Sequence, residues 1–562
     1  MLHVLNNGLV DRRKLGIFYT PSEATRILCQ WGIRTPKDYI FEPSFGACGF
    51  LEASRDRLAD LNCPTPGEQL FGCDIDPNAF SDYLIPKFRE SDPLNRFKNE
   101  DFLRVSPRQF PIDKFDTVIG NPPYISYHNM SSEQRKSVSE LMQGLNYNLD
   151  SKASLWAYFL VHSLSFLKSG GRIAWILPGS LLHAEYAGAV KHIVSKNFER
   201  SLIIQLGQRL FSTEGTDEST VVLLAEGWSK EGRLKIDYAA TLDDLQRIIN
   251  EWQSGEWDGR NYEARAGLAL LPDSVLRTLN RISEEQEVCT LGEIADVLIG
   301  IVTGANKFFI INQVTARLWH LPEHSLKLIL SRFNIAGGIS LKTSDLKSLA
   351  KENFRCLLVD TSEMKEGDMP LKIYLWSFPE DIRCNNVTFN KKRTVWHQPD
   401  DGRVPDAFFP YMHHYGPRLV INQAKVTSTN TIHRVFFKKE CSKIKALAAS
   451  ISLLSTYSQL SAEIEGRTYG SGALKHEPSE AKRIRLIMPR NLNARVVNET
   501  YKRIDKLLRN NNHKEARLIA DAFVLGALVN RRGDKILKTM DKALRDARAR
   551  RYDSSKSVVA SK

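Results

Sequence analysis

An asparagine, two prolines and a tyrosine stand together in Val118-Ile-Gly-Asn-Pro-Pro-Tyr-Ile125, directly after an apolar run that ends in glycine. Consecutive prolines hold the chain extended and donate no backbone hydrogen bond, so their carbonyls are rigidly aimed. With the Asn121 side-chain oxygen beside the Pro122 carbonyl, the loop is a preset pair of acceptors. Such a pair matches an NH2 group, one hydrogen to each oxygen. Fixed dipoles of this kind favour the positive charge that develops on a nitrogen attacking an electrophile, and no strong general base is needed for the attack. Tyr124 adds a flat face on which a planar amine, such as a nucleobase, stacks.

Three earlier segments supply groups of a different kind. Phe41-Glu-Pro-Ser-Phe-Gly-Ala-Cys-Gly-Phe-Leu-Glu52 is a small-residue loop opening a helix. Its glycines let backbone amides approach a ligand, and a helix amino end favours negative charge. Gly72-Cys-Asp-Ile-Asp-Pro77 puts Asp74 where an acid accepts from both hydroxyls of a ribose, with Ile75 against a purine face. Asn99-Glu-Asp-Phe102 brings a further carboxylate next to an aromatic, suited to an exocyclic amine. Each segment alone reads as a cap or turn. Three in order, ahead of the acceptor loop, read as a nucleotide-like cofactor site.

These loops need strands to carry them. Tyr39–Phe41, Gln69–Cys73, Thr117–Ile119, Arg172–Leu177, Ser201–Leu206 and Thr220–Ala225 read as strands. Ala153–Leu167 has helical apolar spacing and is expected to stop at Lys168-Ser-Gly-Gly171. The alternation predicts an α/β fold with a parallel, doubly wound sheet, whose ligands bind beyond the carboxyl ends of the strands. Trp252–Arg260 reads as a linker, after which regular alternation ceases. The expected organisation is a catalytic domain over 1–245, a mixed domain over 246–490 and a basic helical region over 491–562. That region contains Arg495–Arg509 and Asp534–Arg551, with an irregular tip over Ser554–Lys562.

With 562 residues, 42% hydrophobic and 25% charged, the chain has the composition of a folded protein of two or three domains. Eight cysteines without a CxxC pair argue against structural zinc, and no metal is expected. No leader pattern and no membrane-length apolar run is evident, so a cytoplasmic protein with no membrane partner is expected. The net charge of +13 favours a polyanion, nucleic acid above all, as partner.

Taken in order, these motifs resemble the gamma class of amino-group DNA methyltransferases, specific for adenine N6, found in restriction-modification systems. Leu15-Gly-Ile-Phe-Tyr-Thr-Pro-Ser22 is similar to the family's amino-terminal cofactor motif. Gly170-Gly-Arg-Ile-Ala-Trp-Ile-Leu-Pro-Gly179 and Ser219-Thr-Val-Val-Leu-Leu224 are similar to its later sheet motifs. The resemblance implies a Rossmann-like domain that binds S-adenosylmethionine, followed by a target-recognition domain. It implies that Thr20, Pro21, Glu42, Pro43 and Ser44 meet the methionine part, that Gly46 also binds the cofactor, that Asp74 binds the ribose, and that Ile75 and Phe102 flank the adenine. Asp101 would accept from the cofactor's amino group. Asn121, Pro122 and Tyr124 would hold a flipped target adenine, with Asn121 also adjoining the cofactor. Two departures stand out. Cys48 occupies the place of the first loop's second glycine, and Leu224-Ala225 stand where a second base-clamping aromatic is usual. Phe211 and Trp228 are the nearest candidates for that aromatic, and neither is assigned the role.

Three further segments, Leu291–Ile310, Val426–Arg434 and Gly466–Lys475, resemble parts of the target-recognition domain. Within them Thr303, Lys307, Arg467 and Lys475 are the expected DNA donors. Lys391–Trp396 is either a DNA-facing stripe or a solvated strand, and the basic helix over 535–551 reads as solvated. The leading expectation is a site-specific adenine-N6 methyltransferase acting on duplex DNA as a monomer, alongside a separate cognate endonuclease. The alternatives are an enzyme of the same loop type acting on ribosomal RNA adenine or protein glutamine, and a bifunctional restriction enzyme. The fourteen residues before Leu15 and the lack of a nuclease carboxylate cluster weigh against the last.

Overall fold

The apolar runs of the amino-terminal half pair into one nine-stranded sheet. Its strands are β1 (Ile40–Glu42), β2 (Leu70–Cys73), β3 (Phe97–Lys98), β4 (Phe115–Gly120), β5 (Leu167–Pro178), β6 (Phe198–Leu206), β7 (Thr220–Trp228), β8 (Arg233–Ala239) and β9 (Arg260–Asn261). They lie in the order β3-β2-β1-β4-β5-β7-β6-β8-β9. β1 to β5 run parallel, and β7 is inserted antiparallel between β5 and β6. The computed structural model describes residues 20–89, 95–144, 147–184, 186–207, 220–256, 260–261, 271–392, 395–468, 472–525 and 533–559.

Both faces of this sheet are covered, which explains why its strands read as continuous apolar runs. Phe41, Val118, Ile173, Trp175 and Leu223 point into one cluster with helices Leu155–Ser163 and Ala187–Asn197. Their neighbours Ile40, Ile119, Ala174, Ile176 and Leu224 point into the other. There they meet helix α1 (Ser22–Gly32), helix α2 (Gly49–Asp60) and a helix over Leu242–Ser254. At the opposite end of the sheet from the loops of interest, Arg172 pairs with the buried Asp38 at 2.6 Å.

Two local expectations are corrected. The helix after Ala153 ends at Ser163, and β5 begins at Leu167, so Lys168-Ser-Gly-Gly171 lies within the strand. Buried Leu164 and Phe166 continue the apolar spacing through a single tight turn and make the helix look longer. Trp252 belongs to no linker. It is buried in the last turn of its helix and stacks on Trp31 with ring centroids 5.8 Å apart.

The chain divides into two compact units: Met1–Leu270 with Tyr469–Gly472 and Ala549–Lys562, and Leu271–Thr468 with Ala473–Arg548. The division after Leu270 differs from the expected 245/246, and most of 491–562 is part of the second unit. The second unit holds a five-stranded sheet ordered Ala295–Ile299, Ile432–Phe437, Ala407–Pro410, Val420–Asn422, Ser340–Leu341. Helices Lys443–Ser452, Ala494–Arg509 and His513–Leu525 share its core. Asp505 of the second of these accepts from the Ile339 and Ser340 amides at 2.8 and 2.9 Å, which ties that helix to the sheet. The final helix, Gly533–Val559, runs through most of the segment expected to be irregular. No helix among the described residues is long and apolar enough to cross a membrane.

Candidate active site

Three neighbouring parallel strands deliver the loops named from the sequence to one end of the sheet. β1 lies between β2 and β4, so Glu42 at the end of β1 sits beside Gly72 and Asp74 on one side and the Gly120-Asn121 corner on the other. A β-carbon on Gly72 would lie 2.4 Å from the Glu42 carbonyl oxygen, so only glycine permits this approach. The acid side chains are thereby held close in a dry place. Burial, and then the Asp74 charge, push the Glu42 carboxyl well above the usual range. Glu42 Oε2 is buried and has no hydrogen-bond partner among the described residues.

Asp74 is organised by the loop it serves. Its Oδ2 accepts from the Gly46 amide at 2.8 Å and its Oδ1 from the Asp76 amide at 2.9 Å. Burial pushes its carboxyl up while those two amides oppose the shift. These amides leave the carboxylate with acceptor capacity to spare for a hydroxyl. Ile75 is 66% exposed, an apolar face offered to solvent beside an acid. Asn99 Nδ2 donates to the Asp74 carbonyl at 2.9 Å and steadies the strand end.

The loop after β1 closes on itself before entering α2. The Cys48 amide donates to the Phe45 carbonyl at 2.7 Å, with Gly46 at φ 46° and Cys48 at φ 68°. The cysteine thus holds a left-handed backbone, the region that glycine favours. Lys87, which the sequence reading missed, clamps the far side by donating to the Ala47 carbonyl at 3.0 Å and to Glu52 at 2.6 Å. No local pattern marks it, because its partners lie up to 40 positions away. Pro43 is buried and Ser44 half-buried in the same loop.

Beyond β4, the Ile125 amide donates to the Pro123 carbonyl at 3.1 Å, and the Ile125 carbonyl accepts from Leu155 at 2.9 Å. The Pro122 carbonyl takes no backbone hydrogen bond among the described residues. Asn121 Nδ2 donates to Thr20 Oγ1 at 3.2 Å, so its amide oxygen is turned the other way. Pro21 caps α1 immediately after Thr20. Tyr124 is half-buried and rests against the cluster beneath α1 and α2. Thr20, Glu42, Asp74 and Asn121 are therefore brought to one end of the sheet, whereas Leu15 to Tyr19 lie outside the described residues.

Other expected residues fall elsewhere. Phe102 is 2% exposed, its ring packed on Phe159 and Phe166 at 5.1 and 5.3 Å, so it is a core residue and presents no adenine-flanking face here. Asp101 stays at the rim, with Oδ1 capping the turn at Leu103 at 3.1 Å. Trp228 packs on Phe198. Thr220 pairs with Pro178 at the carboxyl end of β5, and Trp228 is eight residues further along β7. At ~3.3 Å per residue it lies ~26 Å from the site end, which removes it as a base clamp. Phe211 lies outside the described residues.

Three of the four expected DNA donors in the second unit are committed to the fold. Thr303 is buried and binds Asn306 and the Ala305 amide in a turn. Arg467 pairs with Glu480, which is 3% exposed. Lys475 pairs with Glu477 at 2.9 Å and lies over the Tyr411 ring. Lys307 alone is exposed. The segments around Thr303 and Thr429 do come together, through an Ile301–Thr429 bridge and a 2.8 Å bond from the Ile301 amide to Ser428.

This sheet order with a reversed β7, an acid at the ends of β1 and β2, and a paired acceptor loop after β4 define a Rossmann-like, S-adenosylmethionine-dependent methyltransferase. The residues present fit that cofactor. The unpartnered, buried Glu42 oxygen suits an ammonium, the remaining acceptor sites of Asp74 suit a ribose, and Ile75 suits a purine face. Residues 80–211 match the family model of the Eco57I restriction-modification methylase, and 265–525 match the C-terminal domain of type II methyltransferase M.Eco57I. By these two matches the chain is similar to the type II modification methylases of restriction-modification systems over both of its units. The type II methyltransferase M.AccI of Acinetobacter calcoaceticus is 21% identical over 97% of each chain. M.BanIII of Aneurinibacillus aneurinilyticus is 22% identical over 54% of this chain and 59% of its own. The type IIL restriction-modification enzyme MmeI, solved in complex with DNA, shares the fold with a TM-score of 0.54 at 11% identity, over 94% of this chain and 75% of that one.

Proposed function

We propose that this methylase transfers a methyl group to the N6 amine of an adenine extruded from duplex DNA at a specific sequence. The modified site is then protected from a cognate endonuclease. Bound S-adenosylmethionine supplies the electrophilic methyl group. Asn121 Oδ1 and the Pro122 carbonyl accept the two hydrogens of the target amine, orient its lone pair and favour the charge that develops on nitrogen. Tyr124 stacks on the extruded base and offsets part of an unstacking cost of about a few kcal/mol. Glu42 and Asp74 hold the cofactor's polar ends.

The observation that carries this reading is the Thr20–Asn121 hydrogen bond, which turns the amide oxygen of the acceptor loop away from its anchor at the end of β4. The family matches support DNA over ribosomal RNA or protein as the substrate. The match along nearly all of M.AccI, a relative named as a methyltransferase alone, supports a modification role over a bifunctional one. Methyl incorporation should be compared on unmethylated duplex DNA, ribosomal RNA and protein, with the modified base identified by mass spectrometry. N6-methyladenine in DNA is expected, and its absence from every unmethylated duplex refutes the reading.

A further inference from the structure

We infer that a lysine-lined groove in the second unit binds the phosphodiester backbone of duplex DNA away from the modified base. The inference rests on DNA being the substrate. The groove encloses about 1120 Å³ between the five-stranded sheet and helix Ala494–Arg509. Its lysines come from separate elements. Lys438 and Lys439 follow strand Ile432–Phe437, and Lys443 opens the next helix. Lys502 and Lys506 stand one turn apart on helix Ala494–Arg509, with Asn498 on the same face. Lys342 and Lys425 complete the wall.

All seven are exposed, and none makes an ion pair among the described residues. The groove has two carboxylates, and both are occupied by the protein's own donors. Asp505 accepts from the Ile339 and Ser340 amides, from Ser340 Oγ and from Arg509, and Asp406 accepts from the Phe437 amide at 2.9 Å. Seven lysines and Arg509 set against these two carboxylates leave the groove strongly net positive. Like charges one helical turn apart, as at 502 and 506, cost ~0.2–0.5 kcal/mol, and crowding seven in a concavity adds repulsion that an external polyanion relieves. Lys425 holds φ 56°, a left-handed backbone that a side chain rarely adopts, at the groove wall. A repeating phosphate chain is the occupant that matches many separate cations spread along a groove, since each contact releases a counterion. An anionic bilayer is a poorer match: the large apolar side chains lining the groove, Ile421, Leu447, Phe437 and Tyr501, are buried or half-buried.

The test measures binding of a labelled duplex to the full chain across a salt series, by fluorescence anisotropy. The triple variant Lys438→Gln, Lys502→Gln, Lys506→Gln should lower the slope of log affinity against log salt by about 2 to 3, at ~0.9 per phosphate contact. The loss should be equal on duplexes with and without the target sequence. The Lys→Arg triple should retain the slope, as should Lys347→Gln with Lys351→Gln outside the groove. An unchanged slope in the glutamine triple, with DNA methylation intact in the parent enzyme, overturns the groove alone. A parent enzyme with no salt-dependent duplex binding overturns both the groove and the DNA reading. A parent that methylates only RNA or protein overturns DNA as the substrate and, with it, this assignment of the groove.

Discussion

The amide nitrogen of Asn121 donates to Thr20 Oγ1 at 3.2 Å, joining the acceptor loop of β4 to the residue just before α1 across 101 positions. A free asparagine amide can present either its nitrogen or its oxygen to a ligand. Anchoring the nitrogen leaves the oxygen turned away from Thr20, and in the proposed reaction that oxygen is the group that would face the amine. On the proposed function, Thr20 would act through Asn121 as a positioning residue.

Thr20→Val keeps shape and loses the acceptor. Methyl transfer measured in single turnover should fall roughly five- to tenfold, the equivalent of one hydrogen bond of about 1 kcal/mol, and Thr20→Ser should restore it. Asn121→Ala should abolish transfer while largely preserving duplex binding. Near-normal turnover in Asn121→Ala removes the loop from the chemistry.

Glu42 predicts a pH dependence of cofactor binding. Its carboxyl titrates well above the ordinary range, because it is buried and faces Asp74. Below that raised pKa it is neutral and gives an ammonium little, and above it the carboxylate forms a charge-assisted bond. Affinity for S-adenosylmethionine, by calorimetry, should therefore rise as pH climbs through the raised pKa and decline as pH drops through it. Glu42→Gln should bind more weakly at high pH and show a flattened profile. A parent profile identical to that of the glutamine variant rules out the ammonium role.

How much of this was legible in the sequence depends on the range of the interaction. Strand ends, the acid at 74 and the acceptor loop are written locally, as apolar runs followed by turn residues, and the sheet brings them together. The fate of Phe102 is not local. Aspartate-phenylalanine at a strand end reads as a ligand face, yet Phe41, Phe159 and Phe166 come from three other elements to enclose the ring. Lys87 is invisible for the same reason. The second unit reads worst, because a basic residue in a glycine-containing loop looks alike whether it faces solvent or a buried glutamate. The same limitation misplaced Trp252, whose tryptophan partner lies far back in the chain.

Cys48 sets up a stability comparison in which two terms oppose each other. Its φ of 68° costs an L-residue ~1–2 kcal/mol, which glycine would recover. The side chain is fully buried, however, and removing it forfeits about 1 kcal/mol of apolar burial. Cys48→Gly should therefore shift the urea-unfolding free energy by less than about 1 kcal/mol. Cys48→Val adds a β-branch at positive φ and an extra methyl in a packed site, so it should cost about 2 kcal/mol or more. A valine variant as stable as the parent shows that the backbone there has relaxed out of the left-handed region.

Arg467 distinguishes a DNA contact from a structural ion pair. Its guanidinium is one-third exposed and pairs with Glu480, whose side chain is 3% exposed and also accepts from the Glu477 amide at 2.8 Å. Removing the arginine leaves a buried carboxylate without its counter-charge. For a fully buried pair that costs ~3–5 kcal/mol, and the partial exposure of Arg467 brings the expectation down to about 1–3 kcal/mol. Arg467→Ala should accordingly lower the unfolding midpoint, and Glu480→Gln in the same chain should recover much of the loss. The salt slope of duplex binding should stay within error of the parent's, since no phosphate contact is removed. A normal unfolding midpoint together with a slope reduced by ~0.9 would return Arg467 to the DNA-contacting surface.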